Sequence, residues 1–158
     1  MATSEKTAYV IQFSANTNFC LGVTAANPGA QVTLSLLQGA GTPLTQWYID
    51  PNSGTITLAA SNPDSPLYLD FQGSTPSNGV PLIVSSFVLG RNSQRWNWLG
   101  NPPYVMNQGA PSYCIDDSNG GTQPGNRVQI WTQQNGNTNQ QWQFLAVPVL
   151  EAALAVSA

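Results

Sequence analysis

The sequence predicts an all-β fold made of three copies of one unit of about four strands, and three observations predict it. Apolar runs are short, and Gly, Pro, Asn, Ser and Thr interrupt them about every 8–12 positions, the rhythm of short strands joined by turns. Three tryptophans, Trp47, Trp96 and Trp142, recur at intervals of 49 and 46 residues. Two further elements repeat in register ahead of each tryptophan, so the periodicity belongs to a structural unit and not to one motif.

Each unit reads in the same order. It opens on a strand at 8–13, 55–59 and about 104–107. A second strand follows as Phe19-Cys-Leu-Gly22, Leu67-Tyr-Leu-Asp70 and Tyr113-Cys-Ile-Asp116. A third begins at a glycine: Gly29 to Ser35, Gly79 to Ser85 and Gly125 to Trp131. Its alternation turns Val32/Leu34, Leu82/Val84 and Val128/Ile130 inward and sets Ser35, Ser85 or Trp131 outward. The fourth carries the tryptophan, and an apolar residue two positions later (Ile49, Trp98 or Phe144) shares its inward face. Four strands cannot close a core alone, but three such units around a pseudo-threefold axis close a barrel with a hairpin cap. That is a β-trefoil, and the threefold repetition disfavours a β-sandwich. The domain is placed at 8–146, with repeats at about 8–53, 54–101 and 102–146. Residues 1–7 and 147–158 are tails, and a short helix is expected from Glu151 to Ala158 with Leu150 and Leu154 on one face.

Composition narrows the function. Charged residues make up 7% of the chain and the net charge is −3, which excludes a binder of nucleic-acid backbones. With 41% apolar residues and five tryptophans a packed core is expected. No apolar run reaches the roughly 20 residues that span a bilayer. The start lacks a basic segment followed by an apolar one, which predicts a cytoplasmic protein unless it leaves the cell by a non-classical route. Cys20 and Cys114 hold equivalent places in separate repeats and read as small buried hydrophobes. There is no histidine, and Asp116 and Asp117 are adjacent along a strand, so they diverge and cannot flank a glycosidic bond. No metal-ligand cluster is visible, and neither catalysis nor a cofactor is expected.

The third repeat holds the richest chemistry. Asp116 supplies a carboxylate, Gln129 and Trp131 face outward on the next strand, and Asn139 lies just ahead of Trp142. An acid and an amide can bond ring hydroxyls while an indole covers the C–H face of a sugar. The turn at Asn119-Gly120 can bring backbone close to such a ligand, because glycine permits close approach. Asp117 reads as loop structure.

The motif Gln-x-Trp, intact as Gln94-Arg-Trp96 and Gln140-Gln-Trp142 and degenerate at Thr45-Gln-Trp47, resembles the signature of ricin-type (R-type) β-trefoil lectins. So does the order Cys-Ile-Asp, Val-Gln-Ile-Trp, Asn-Gln-Gln-Trp in the third repeat. The resemblance covers about residues 8–146. It implies a carbohydrate-binding protein for galactose or N-acetylgalactosamine. Asp116 would be the acid, Trp131 the platform, Asn139 the amide, Gln129 a supporting neighbour, and Gln94, Trp96, Gln140, Trp142 and Trp47 mainly structural. The first repeat departs at every position, with Gly22, Ser35 and Leu44 in the acid, platform and amide places. The second keeps Asp70 but has Ser85 and Ser93 in the other places, so Asp70 and Phe87 make at most a weak second site. Glycans are the expected partners, and a homodimer would supply the avidity that one shallow site lacks. The alternative is a protease inhibitor or other protein-binding trefoil, presenting a loop such as 61–66 or 100–103.

Overall fold

Period-two alternation and glycine-initiated turns produce twelve strands in the computed structural model, which describes residues 6–73 and 75–157. In chain order they are β1 (Ala8–Phe13), β2 (Phe19–Gly22), β3 (Thr33–Leu36), β4 (Trp47–Asp50), β5 (Thr55–Leu58) and β6 (Leu67–Phe71). The rest are β7 (Val80–Ser86), β8 (Trp96–Asn97), β9 (Met106–Asn107), β10 (Tyr113–Asp117), β11 (Val128–Thr132) and β12 (Trp142–Ala146). β12 returns to pair with β1, Trp142 opposite Phe13 and Ala146 opposite Tyr9, so the last strand closes on the first. The second and third strands of each unit form a hairpin: β2–β3, β6–β7 and β10–β11.

Three glycines join the hairpins into one cap. Gly29, Gly79 and Gly125 all have positive φ (85°, 93° and 86°). Each donates its N–H to a carbonyl of the next repeat: Gly29 to Val84, Gly79 to Ile130 and Gly125 to Leu34, at 2.7, 2.9 and 2.7 Å. A side chain would be strained at that φ, which is why the same residue begins the element three times.

The inward set falls where the alternation puts it. Val32, Leu34, Leu82, Val84, Val128 and Ile130 are all buried in the main core with Trp47, Trp96 and Trp142. Each of those indoles donates Nε1–H to a buried carbonyl of its own repeat's second strand: Leu21, Leu69 and Ile115, at 3.1, 3.0 and 3.0 Å. Buried indole N–H groups need partners, and these bonds tie the fourth strand to the second in every unit. Cys20 and Cys114 are free and buried, and burial pushes both thiols up to about 12, which leaves them protonated and unreactive.

Two expectations need correction. The strand expected at 104–107 is only Met106–Asn107, because Tyr104 closes a turn on Asn101 and spends its hydroxyl accepting the Gly136 N–H at 2.7 Å. The helix begins at Val147, not Glu151, and runs to Ser157 as α1. Pro148 suits a first helical turn, and Val147 is buried against Val10 and Cys20 with Leu150 beside it. Leu154 stays 42% exposed, so the helix packs through its first turn only. No described helix is long and apolar enough to cross a membrane.

Candidate functional site

The β10–β11 hairpin sets the side chains of the site. Its register pairs Cys114 with Trp131 and Asp116 with Gln129, which puts these four residues on one face. Ile115 with Ile130 and Asp117 with Val128 take the other face, toward the core. Asp116 and Trp131 are therefore diagonal neighbours, about 7–8 Å apart along the ladder, roughly the span of one sugar ring. Trp131 is half-buried, with its ring edge near Gly79, where an added Cβ would lie 3.8 Å from Cζ3. The indole therefore lies over the hairpin of the neighbouring repeat and still faces water.

Asp116 is more deeply set than the sequence suggests, at 4% exposure. Gln129 Nε2 donates to Oδ1 and Gln140 Nε2 to Oδ2, both at 3.0 Å. Gln140 also donates to the Thr132 carbonyl at 3.1 Å, and its Oε1 accepts the Gln134 N–H at 2.8 Å. Burial raises the pKa of Asp116, and the two amide bonds oppose that rise. Each oxygen is aimed by an amide and retains acceptor capacity for a hydroxyl. Gln140 thus does more than hold a strand: it orients the acid. Sequence inspection pairs it only with Trp142, because the 24 positions back to Asp116 cross two turns.

The expected amide and turn come to the same place. Asn139 sits in the 3-10 turn Thr138–Gln140, whose N-cap Asn137 accepts the Asn139 N–H at 3.0 Å. Asn119 and Gly120 have successive left-handed φ values of 56° and 67°. A Cβ on Gly120 would lie 2.7 Å from Asn139 Oδ1, so glycine there lets the amide approach the turn. Asp116, Gln129 and Trp131 on the hairpin face, with Asn139 against the Asn119-Gly120 turn, make up the candidate site, hereafter the cup.

Asp117 is not simply loop structure. It is fully buried, and its Oδ1 accepts from Asn126 Nδ2 at 2.7 Å. Asn126 also donates to the Ser118 carbonyl, anchoring the start of the turn, while Asp117 Oδ2 has no partner. Burial, with the charge of Asp116 beside it, pushes Asp117 up to about 6 despite the Asn126 bond. Because the folded value lies above the ordinary ~3.9, the associated stability is present below about pH 4 and lost as pH rises to about 6. The loss is on the order of a few kcal/mol. We expect the stability of the wild type relative to Asp117→Asn to fall by up to that amount across this window. Chemical denaturation of both proteins at stepped pH measures it, and the difference includes the mutual repulsion of Asp116 and Asp117.

The other two repeats lack the cup. At Gly22 an added Cβ would meet Ser35 Oγ at 2.5 Å and Thr45 Cγ2 at 2.9 Å, so the acid's place is filled. Asp70 in the second repeat is 1% exposed and accepts from Ser85 Oγ at 2.9 Å and the Phe71 N–H at 2.8 Å. Phe87 is displaced from the platform position and stacks at a tilt on Tyr68, centroids 5.2 Å apart. A separate groove of about 920 Å³, lined by Tyr9, Tyr48, Tyr68, Asp50 and Lys6 among others, went unseen in the sequence. None of the cup residues lines it. The groove has the volume, whereas the cup brings together an acid, amides and an indole.

A barrel closed by β12 on β1 and capped by three hairpins defines a β-trefoil. The family model described as ricin-type beta-trefoil lectin domain-like matches residues 2–85, and the chain belongs to that family. That match ends before β10, so the case for the cup rests on its geometry. Among solved structures, the designed threefold-symmetric protein ThreeFoil is similar at 22% identity and TM-score 0.71, over 87% of this chain and 97% of that one. The earthworm R-type lectin C-half in complex with GalNAc matches at 16% identity and TM-score 0.68, over 90% and 99%. The Macrolepiota procera ricin B-like lectin in complex with lactose matches at 21% and 0.66, over 91% and 98%. At these identities the likeness establishes the fold. No curated protein matches the chain.

Proposed function

We propose that the chain is a lectin that holds a galactose- or N-acetylgalactosamine-type glycan in its third repeat, without catalysis. One observation carries the reading: a carboxylate braced by two amides shares a hairpin face with a half-exposed indole, and the equivalent place is filled in the first repeat and self-satisfied in the second. An axial O4 leaves a continuous C3–C4–C5 patch for Trp131 and brings O3 and O4 toward Asp116. The GalNAc and lactose in the earthworm and Macrolepiota complexes are consistent with that sugar class. Asp116 and Asp117 face opposite sides of β10, so they do not straddle a bond to be broken. One such site gives an affinity on the order of millimolar to 100 µM, and pairing of two chains would raise it through avidity.

The test is a glycan array followed by calorimetry with lactose, N-acetylgalactosamine and glucose. Trp131→Ala should remove binding of the first two while lowering stability by less than about 1.5 kcal/mol, because the indole lies outside the core. Undiminished binding in that variant would move the site elsewhere.

A further inference from the structure

The second repeat presents a cation where the third presents an acid. Asp70 is turned inward and bonded by Phe71 and Ser85, with Arg91 Nη1 3.6 Å from Oδ2. Gln94, the counterpart of Gln140, gives its Nε2 to Ser85 Oγ and the Ser86 carbonyl at 2.9 and 2.8 Å, and does not reach the acid. Ile83 stands opposite Asp70, where Gln129 stands opposite Asp116. What faces water here is the Arg91 side chain, 42% exposed, and the Phe87 ring, whose residue is 53% exposed.

These two residues stand at the feet of one pinned turn. The Arg91 N–H donates to the Val88 carbonyl at 3.1 Å, and the Val88 N–H to Gln94 Oε1 at 3.0 Å. The third repeat builds the same turn from polar residues: Asn137 N–H donates to the Gln134 carbonyl at 3.2 Å and Gln134 N–H to Gln140 Oε1 at 2.8 Å. Gly90 and Gly136 even share a φ of 78°. The turn therefore requires neither an exposed phenyl ring nor a guanidinium, and the part of Arg91 not turned to Asp70 and the open side of Phe87 face water.

We infer that the second repeat binds a carboxylated sugar of the uronic-acid kind, its carboxylate on Arg91 and its C–H face on Phe87. The Asp70 contact occupies one part of the guanidinium, and its remaining donors match a planar carboxylate. Phe87, backed by Tyr68, offers an aromatic face at the other foot of the same turn. Asp70 is 1% exposed with Ser85 and Arg91 both at its Oδ2, so the group that meets a ligand here is the guanidinium and not the acid. The net charge of −3 gives no long-range pull on an anion, so recognition is local and depends on these side chains.

The experiment is an NMR titration of ¹⁵N-labelled protein with methyl β-glucuronide and its neutral twin, methyl β-glucoside. The glucuronide should shift the amides of Val88, Leu89 and Arg91 and bind about tenfold tighter than the glucoside. It should do so equally in Trp131→Ala, which disables the third-repeat cup, and weaken about tenfold or more in Arg91→Gln. Asp70 keeps its Ser85 and Phe71 bonds in that variant; if a melting curve shows it unfolded, Phe87→Ser, an exposed change, should give the same loss. The inference is overturned if the two sugars bind alike, if Trp131→Ala abolishes the glucuronide response, or if a folded Arg91→Gln or Phe87→Ser protein binds it undiminished.

Discussion

Asp116→Ala is expected to abolish sugar binding and to lower stability by about 3 kcal/mol together, because two buried amide donors then lose a charged acceptor. Gln129 is 6% exposed and Gln140 fully buried, so water does not easily replace the carboxylate. Gln140 keeps its bond to the Thr132 carbonyl, whereas no other acceptor is found for Gln129 Nε2 within the described residues. Most of the cost should therefore fall at Gln129. The double variant Asp116→Ala/Gln129→Leu removes that stranded donor and should recover stability by about 1–2 kcal/mol without recovering binding. Urea denaturation of the three proteins, with lactose calorimetry alongside, separates the two roles. A stable Asp116→Ala protein that still bound lactose would refute both.

How much of this could be read from residues alone differs from level to level. The barrel was legible because its signal is repeated: Gly29, Gly79 and Gly125, then Trp47, Trp96 and Trp142, recur in register, and each does one physical job three times. The positions of Asp116 and Trp131 on one face followed from period two and a hairpin register that the turn makes certain only in three dimensions. What could not be read was which polar groups satisfy one another. Gln140 reaching Asp116, Gln94 stopping at Ser85, and Asn126 holding Asp117 all join residues across turns, and their partners depend on small side-chain differences. The start of α1 was missed for a different reason. Pro148 reads as a breaker in isolation, yet it fits a first turn once Val147 has a buried place against Val10 and Cys20.

Trp142→Ala should destabilise the fold by about 3–5 kcal/mol, the usual cost of emptying a large buried aromatic site. The indole is 3% exposed and lies against Phe13 with centroids 5.0 Å apart, at the seam where β12 closes on β1. Its Nε1–H also satisfies the Ile115 carbonyl, between Cys114 and Asp116 on the strand that carries the acid. Loss of the ring thus opens a cavity at barrel closure and releases the backbone beneath the cup. Trp142→Phe retains most of the apolar volume and gives up the N–H, which separates the two contributions. We expect it to lose about 1–3 kcal/mol, the cost of a stranded buried carbonyl plus a partial void, and to bind lactose once folded. Thermal melting ranks the two variants, and calorimetry on Trp142→Phe decides the role of the residue. Retained affinity marks Trp142 as a support of the strand, whereas lost affinity in a folded protein would place its ring in contact with the sugar and redraw the cup around it.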